Sequence, residues 1–241
     1  MFTSAWDYIT DPANWSGPTG IGTRIVQHLW YSLLAVAGAA LVAVPAGLAI
    51  GHFRRGQIVV VGVVNALRSL PTLGVLTLLV LLLGLGLVPP ILALVLLAIP
   101  PLLAGTYAGV ANVDRSVVDA AEAMGMTPLQ VLCRVEIPNA LPLILGGVRS
   151  AALQVIATAT VAAYVNLGGL GRYIFDGLAL RSYDRVLVGA ILVAVLALVV
   201  DAVLAAAVWA SMPGTGRLRR PVAVAVSPGT TAPSGTSGSD R

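Results

Sequence analysis

Apolar residues run along this chain in long uninterrupted blocks, and polar residues gather in the intervals between them. Neither the alternation of a half-buried strand nor the stripe of a surface helix is sustained. Several blocks reach about 20 residues, the length that carries a helix across a bilayer. The pattern predicts an all-α integral membrane protein with spans over residues 25–50, 57–85, 90–110, 141–165 and 186–210. That makes five spans, with six as the alternative count. Pro71 is expected to kink the second span, and Pro100-Pro101 the third. One polar interval is much longer than the rest, residues 111–140, with the run DRSVVDAAEAMGMTPLQVLCRVEIP from Asp114 to Pro138.

That interval holds four of the ten acidic residues, Asp114, Asp119, Glu122 and Glu136. A polar segment of this length is too costly inside hydrocarbon, so it is expected to stand in water. It keeps helical signals. Asp114 or Ser116 can cap a helix start, and Ser116 with Asp119 resembles a capping box. Gly125 can close that helix in a left-handed turn. Thr127-Pro128 restarts one, with Thr as the cap and Pro at the first helical position. Pro138 is expected to end the second helix. The result is a helix-turn-helix on the membrane surface, a docking site for a partner.

The flanking segments are simpler. Residues 1–24 form a polar external segment whose Trp6, Tyr8 and Trp15 suit a water–lipid interface. No basic run precedes the first apolar block, so no cleaved signal peptide is assigned. Residues 166–185 read as an outer loop with one short interfacial helix. The membrane-embedded body spans residues 25–212, and residues 213–241 are expected to be a disordered cytoplasmic tail.

Composition narrows the chemistry. The chain is 58% hydrophobic and 10% charged, and all 14 basic residues are arginine. Without lysine it has no Walker A loop and no Schiff-base chemistry. A lone cysteine, Cys133, excludes an intrachain disulfide. His28 and His52 are too far apart in sequence to suggest a metal site. Arginine placement sets the orientation. With the N-terminus outside, the inner segments hold Arg54, Arg55, Arg115, Arg134, Arg149, Arg217, Arg219 and Arg220, and the outer ones hold Arg24, Arg172, Arg181 and Arg185. This favours N-out/C-in and puts the polar helix-turn-helix in the cytoplasm. The net charge of +4 then needs no nucleic acid.

A resemblance belongs at the polar interval. Asp119-Ala120-Ala121, three residues, Gly125, nine residues, Val135, one residue and Ile137-Pro138 resembles the Glu-Ala-Ala loop of permease subunits in bacterial ABC importers. Asp replaces the family's Glu, Val its Ile and Ile its Leu, with the spacing intact. The resemblance implies that Asp119, Ala120, Ala121, Glu122, Gly125, Met126 and Pro138 couple to an ATPase subunit. Small Ala120 and Ala121 would allow its close approach.

Leu70-Pro71-Thr72-Leu73, the run from Gly84 to Pro89, the run from Thr106 to Val110, and Gly168-Gly169-Leu170-Gly171 are similar to permeases of osmoprotectant importers. Those carry glycine betaine, carnitine, choline or related quaternary amines. Methionine and other amino-acid permeases share the core and the loop, so they are the alternative. The family implies ABC ATPase subunits that hold ATP and Mg, a second permease copy or paralogue, an external substrate-binding protein, and a bacterial cell membrane. This chain would carry no catalytic residue and no cofactor. A secondary transporter or membrane scaffold is the contrasting class, and the intact loop register argues against it.

Polar residues within the spans are candidates for the pathway. Arg68 and Asp201 lie at matching depths, about 17 and 14 Å from the inner end at about 1.5 Å per residue, so they are expected to pair. The competing arrangement gives Arg68 a wet cavity and Asp201 a backbone donor. Asn65, Ser69, Tyr107, Thr158, Thr160, Tyr164 and Asn166 could line the route. Quaternary ammonium groups are usually held by aromatic cages, and no tight aromatic cluster occurs in these spans. Strong recognition is therefore expected in the external binding protein. The small-residue runs at 35–40 and 157–163 are expected to pack helices closely within the subunit, a permease dimer interface being the alternative. Gly168-Gly169-Leu170-Gly171 follows no strand, so it is no phosphate loop, and it is a candidate to meet the binding protein.

Overall fold

The computed structural model describes residues 2–165 and 167–212, and every regular element among them is helical. Asn166 and the 213–241 segment, with Arg217, Arg219 and Arg220, lie outside the described residues. Helix α1 (Phe2–Thr10) and a 3₁₀ turn (Pro12–Trp15) precede the long α2 (Ile21–Phe53). Then come α3 (Gln57–Arg68), α4 (Thr72–Leu83), α5 (Val88–Ala111), α6 (Arg115–Ala123), α7 (Pro128–Val131), α8 (Ile137–Ala162), α9 (Gly171–Ala179) and α10 (Tyr183–Ser211). Four helical segments among the described residues are long and apolar enough to cross a membrane: Ile21–Phe53, Val88–Ala111, Pro128–Val165 and Tyr183–Ser211. The α3–α4 pair makes a fifth only if it is counted as one broken span.

That pair corrects the expected kinked second span. The axes of α3 and α4 differ by 82°. Pro71 lacks an N–H and disfavours helical backbone at Leu70 before it, so the chain stops at Ser69 and restarts with Pro71 as an extended cap. Ser69 helps close α3, its hydroxyl donating to Ala66 O at 2.8 Å.

Pro100 and Pro101, by contrast, sit buried inside an unbroken α5. Pro101 cannot donate to Leu97 O, and Gln154 Nε2 of α8 donates to it instead at 3.1 Å. A neighbouring helix thus satisfies the orphan carbonyl, as hydrocarbon requires.

The main core lies where α2, α5 and α8 meet. Ala35, Ala39 and Ala43 from α2, Leu94, Ala98 and Leu102 from α5, and Ala151, Val155 and Ala159 from α8 are fully buried there. The helices come close because their facing residues are small. A Cβ on Gly105 would lie 2.6 Å from Gly147 Cα, and one on Gly47 would lie 2.8 Å from Thr106 Cβ. Ala35 and Ala39 of the first small-residue run and Ala159, Ala162 and Ala163 of the second are buried within the chain, whereas Ala37 and Ala157 are exposed.

The N-terminal segment is more ordered than its polar composition suggests. Ala5 and Ile21 are buried with Leu170, Tyr173, Val188 and Leu192, so α1 packs against α9 and α10. Trp15 Nε1 donates to Ile9 O at 2.7 Å and closes the segment on itself.

Substituting Gly105→Val should destabilise the purified chain by about 1–3 kcal/mol, the usual effect of overpacking. Gly62→Ala is the control, since a Cβ there meets nothing within 4 Å; it should leave thermal unfolding in detergent unchanged or slightly raised.

Candidate functional site

The polar interval folds as two short helices on the base of the α5–α8 pair. Asp114 caps α6, its carboxylate accepting from Ser116 N–H at 2.9 Å, and that bond holds the carboxyl below the usual carboxylate range. The helix ends in a Schellman turn. Met126 N–H donates to Ala121 O at 3.2 Å and Gly125 N–H to Glu122 O at 2.9 Å, with Gly125 at φ +83°. Thr127 then caps α7 in a reciprocal box: its N–H donates to Gln130 Oε1 at 2.9 Å, and its hydroxyl accepts from Gln130 N–H. Asp114, rather than Ser116 with Asp119, provides the first cap.

Pro138 does not end the second helix, contrary to expectation. The chain stays helical from Pro128 to Val165, with a π turn over Leu132–Glu136 and Pro138 in the first turn of α8. The pyrrolidine ring would crowd the carbonyl one α-turn back, and the wider π turn just before it makes room. Asn139 Nδ2 donates to Val135 O at 2.7 Å and ties the transition.

This element has an inner and an outer face. Val118, Ala121 and Val131 are buried against Val110, Val113 and Ala140, with Met126 packed beside them. Asp119, Ala120, Glu122, Gly125 and Pro138 are exposed. So Ala121, expected to face a partner, instead packs inside the element. Of the apolar residues exposed on this element, Met124 and Leu129 are more accessible than Val117, at 76% and 70%. Sequence reasoning passed over both, although apolar residues in an otherwise polar interval are themselves a signal.

The expected Arg68–Asp201 pair does not form. Asp201 of α10 is held by Arg149 of α8, which donates from Nε to Oδ1 at 2.6 Å and from a terminal guanidinium nitrogen to Oδ2 at 2.8 Å. This two-pronged geometry is the strong form of an arginine–carboxylate pair and offsets the burden of charge within a span. By its position in sequence Arg149 reads as an inner-segment residue, but it faces α10 along the helical part of α8. Arg68 is exposed at the end of α3, on one face with Asn65 and Ser69, where the break turns the chain away. Tyr107 is half-buried against the main core, and Tyr164 is exposed, its ring 5.5 Å from that of Phe175. Thr158 and Thr160 bond back to carbonyls of their own helix. The pathway candidates therefore do not converge on one pocket in the single chain. Among the described residues, no group of three or more His, Cys, Asp or Glu side chains is placed to hold a metal ion.

Both histidines make long-range contacts that sequence reasoning missed. Near the start of α2, His28 Nε2 donates to Ile156 O at 3.0 Å, and Nδ1 accepts from Leu170 N–H at 3.3 Å. Gln27 Oε1 accepts from Gly169 N–H at 3.1 Å. Together they fix the glycine-rich 168–171 turn. Nearby, Tyr173 donates to Thr19 O at 3.0 Å, and burial, reinforced by Tyr8, pushes its phenol up to about 12, so it stays a donor. At the other end of α2, His52 Nδ1 lies 2.5 Å from Glu136 Oε2, and the Arg54 guanidinium donates to Val113 O at 3.1 Å.

Single substitutions Arg149→Gln and Asp201→Asn should each lower the thermal midpoint in detergent, and the double variant should recover part of the loss. A remaining lone charge is worse than a neutral pair; additive losses would mean that the two side chains act separately.

Residues 41–208 match the family described as binding-protein-dependent transport system inner membrane component. The carnitine transport permease protein OpuCB of Listeria monocytogenes is 43% identical over 175 residues, covering 73% of this chain and 80% of that protein. The choline transport system permease protein OpuBB of Bacillus subtilis is 39% identical over 184 residues, covering 76% and 85%. Among solved structures, a chain of the inward-facing MetNI methionine ABC transporter shares the fold with a TM-score of 0.71 at 20% identity, covering 80% of this chain and 96% of that one.

Proposed function

Because the chain belongs to the family of binding-protein-dependent transport system inner membrane components, we propose that it is the membrane-embedded subunit of an ATP-driven importer for osmoprotectant quaternary amines such as glycine betaine, carnitine or choline. One observation carries the substrate class. Relatives alike over about three quarters of the chain are named for carnitine and choline transport. The methionine transporter shares the fold at much lower identity, so an amino-acid substrate is the second reading.

In this proposal the chain supplies a path and a lever, and no bond-making chemistry. An ATPase subunit, which would hold ATP and Mg, docks on the outer face formed by Asp119, Ala120, Glu122, Met124 and Leu129. Acidic side chains give a polar rim, the two apolar side chains a centre, and Ala120 room for close approach. An external binding protein delivers substrate, and a second permease completes the path. The α3–α4 pair counts as one broken span, which gives five spans with the N-terminus outside and the C-terminus inside. Arginine placement supports that orientation. ATP-bound partners would favour one of two tilts of the spans, because a ligand shifts an equilibrium only through differential affinity.

The test is uptake by cells that lack their own osmoprotectant importers and express this chain with its neighbouring subunits. Labelled betaine, carnitine, choline and methionine are compared at high osmolarity. Uptake of at least one quaternary amine is expected. Gly125→Val, which places a β-branched residue at positive φ and costs about 1–2 kcal/mol locally, should lower it about tenfold. Uptake of methionine alone would replace the substrate class, and unchanged uptake in the variant would remove the 112–136 element from its coupling role.

A further inference from the structure

We infer that α2 moves as one body with the ATPase-docking element, held by His52 and Arg54 as positioning residues. The inference rests on the docking role proposed above and adds the helix through which motion there reaches the opposite side of the membrane. The docking element is continuous in sequence with α5 and α8 only. Its two ends nevertheless meet the inner end of α2, which is remote in sequence. At the entry to the element, Arg54 donates to Val113 O at 3.1 Å. At the exit, His52 meets Glu136 at 2.5 Å.

Three features mark these contacts as a clamp. Glu136 is 2% accessible and His52 14%, so the pair is shielded from water, and a hydrogen bond is stronger in such a low-dielectric setting. Glu136 lies in the π turn, a form of helix that recurs where local geometry has a function. Arg54 is one of two non-glycine residues at positive φ among the described residues, and that conformation ends α2 and accompanies the guanidinium's reach to Val113.

Beside the clamp, α2 and the docking element are separated by an apolar cleft of about 440 Å³. Pro45, Leu48 and Phe53 line one side, and Pro128, Leu129 and Leu132 the other. Apolar walls supply no directional bond across such a gap. α2 already packs on the inner end of α5 through Gly47 and Gly51, and the polar ties extend that attachment to the docking element itself.

The opposite end of α2 gives the clamp its consequence. The helix has 33 residues, about 50 Å at about 1.5 Å per residue, enough to pass through the bilayer. There Gln27 and His28 hold the 168–171 turn through its backbone N–H groups. Displacement of the docking element is thus passed along α2 to the turn on the far face, where substrate arrives.

The experiment uses the full complex in liposomes, measuring substrate transported and ATP hydrolysed in the same preparation. Uptake driven by ATP in the wild-type complex establishes the underlying role, so failure of that role and failure of the clamp give different results. His52→Ala and Glu136→Gln should retain ATP hydrolysis while substrate moved per ATP falls about tenfold, in keeping with loss of a buried hydrogen bond. In a Cys133→Ser background, the pair His52→Cys and Glu136→Cys should be similarly uncoupled. A short bifunctional thiol reagent that rejoins the two positions should restore transport per ATP. An unchanged ratio in the single variants would overturn the inference. So would a crosslink that forms and leaves transport per ATP low, since α2 would then have to part from the docking element during the cycle.

Discussion

A side chain of any size at Gly105 would meet the backbone of Gly147, so α5 and α8 cross with their main chains in contact. Within a bilayer, apolar burial drives helices together only weakly, and close van der Waals packing takes over. The same small-residue logic brings α2 onto α5 through Gly47 and Gly51. Gln154 can then reach Leu97 O and relieve the carbonyl stranded by Pro101. If the crossing widened, that carbonyl would be left unpaired in hydrocarbon.

The crossing also fixes the surface element. Gly109 approaches Ala140 closely at the base of α5 and α8, and the 112–136 segment is strung between those two helix ends. Its inner face of Val118, Ala121 and Val131 continues the packing seam out of the spans. Asp119, Ala120 and Glu122 are therefore presented on a platform rigidly joined to the helices that cross the membrane. A force applied there meets packed backbone rather than a pliable loop, and tilting the spans is the mechanically natural response.

Much of this was legible in the sequence. The long helices follow from block length alone. The turns of the surface element follow from local rules, because Gly125 and Thr127-Pro128 act within a few residues of themselves. Features that depend on helix rotation or non-local partners were not legible. Spacing places Arg68 and Asp201 at similar depths but does not say which way either faces, and Asp201 turns to Arg149. Pro71 and Pro101 look alike as letters. One breaks the chain by 82°, while the other is absorbed because Gln154 stands opposite. Pro138 reads locally as a terminator, yet at the first turn of α8 its missing N–H is tolerated and the π turn accommodates its ring. The ties of His28 and His52 join residues 128 and 84 positions apart in sequence, beyond the reach of any local rule.

In the proposed importer the 112–136 element faces the cytoplasm and receives a partner there. Cys133, the only cysteine in the chain, lies exposed within it and serves as a native probe. Labelling by a membrane-impermeant maleimide would be compared in right-side-out and inverted vesicles, with and without the ATPase subunit. Labelling is expected in inverted vesicles only, slowed when the ATPase subunit is bound. Labelling of Cys133 in intact right-side-out vesicles would contradict this orientation, because the element would then face the side from which substrate is delivered.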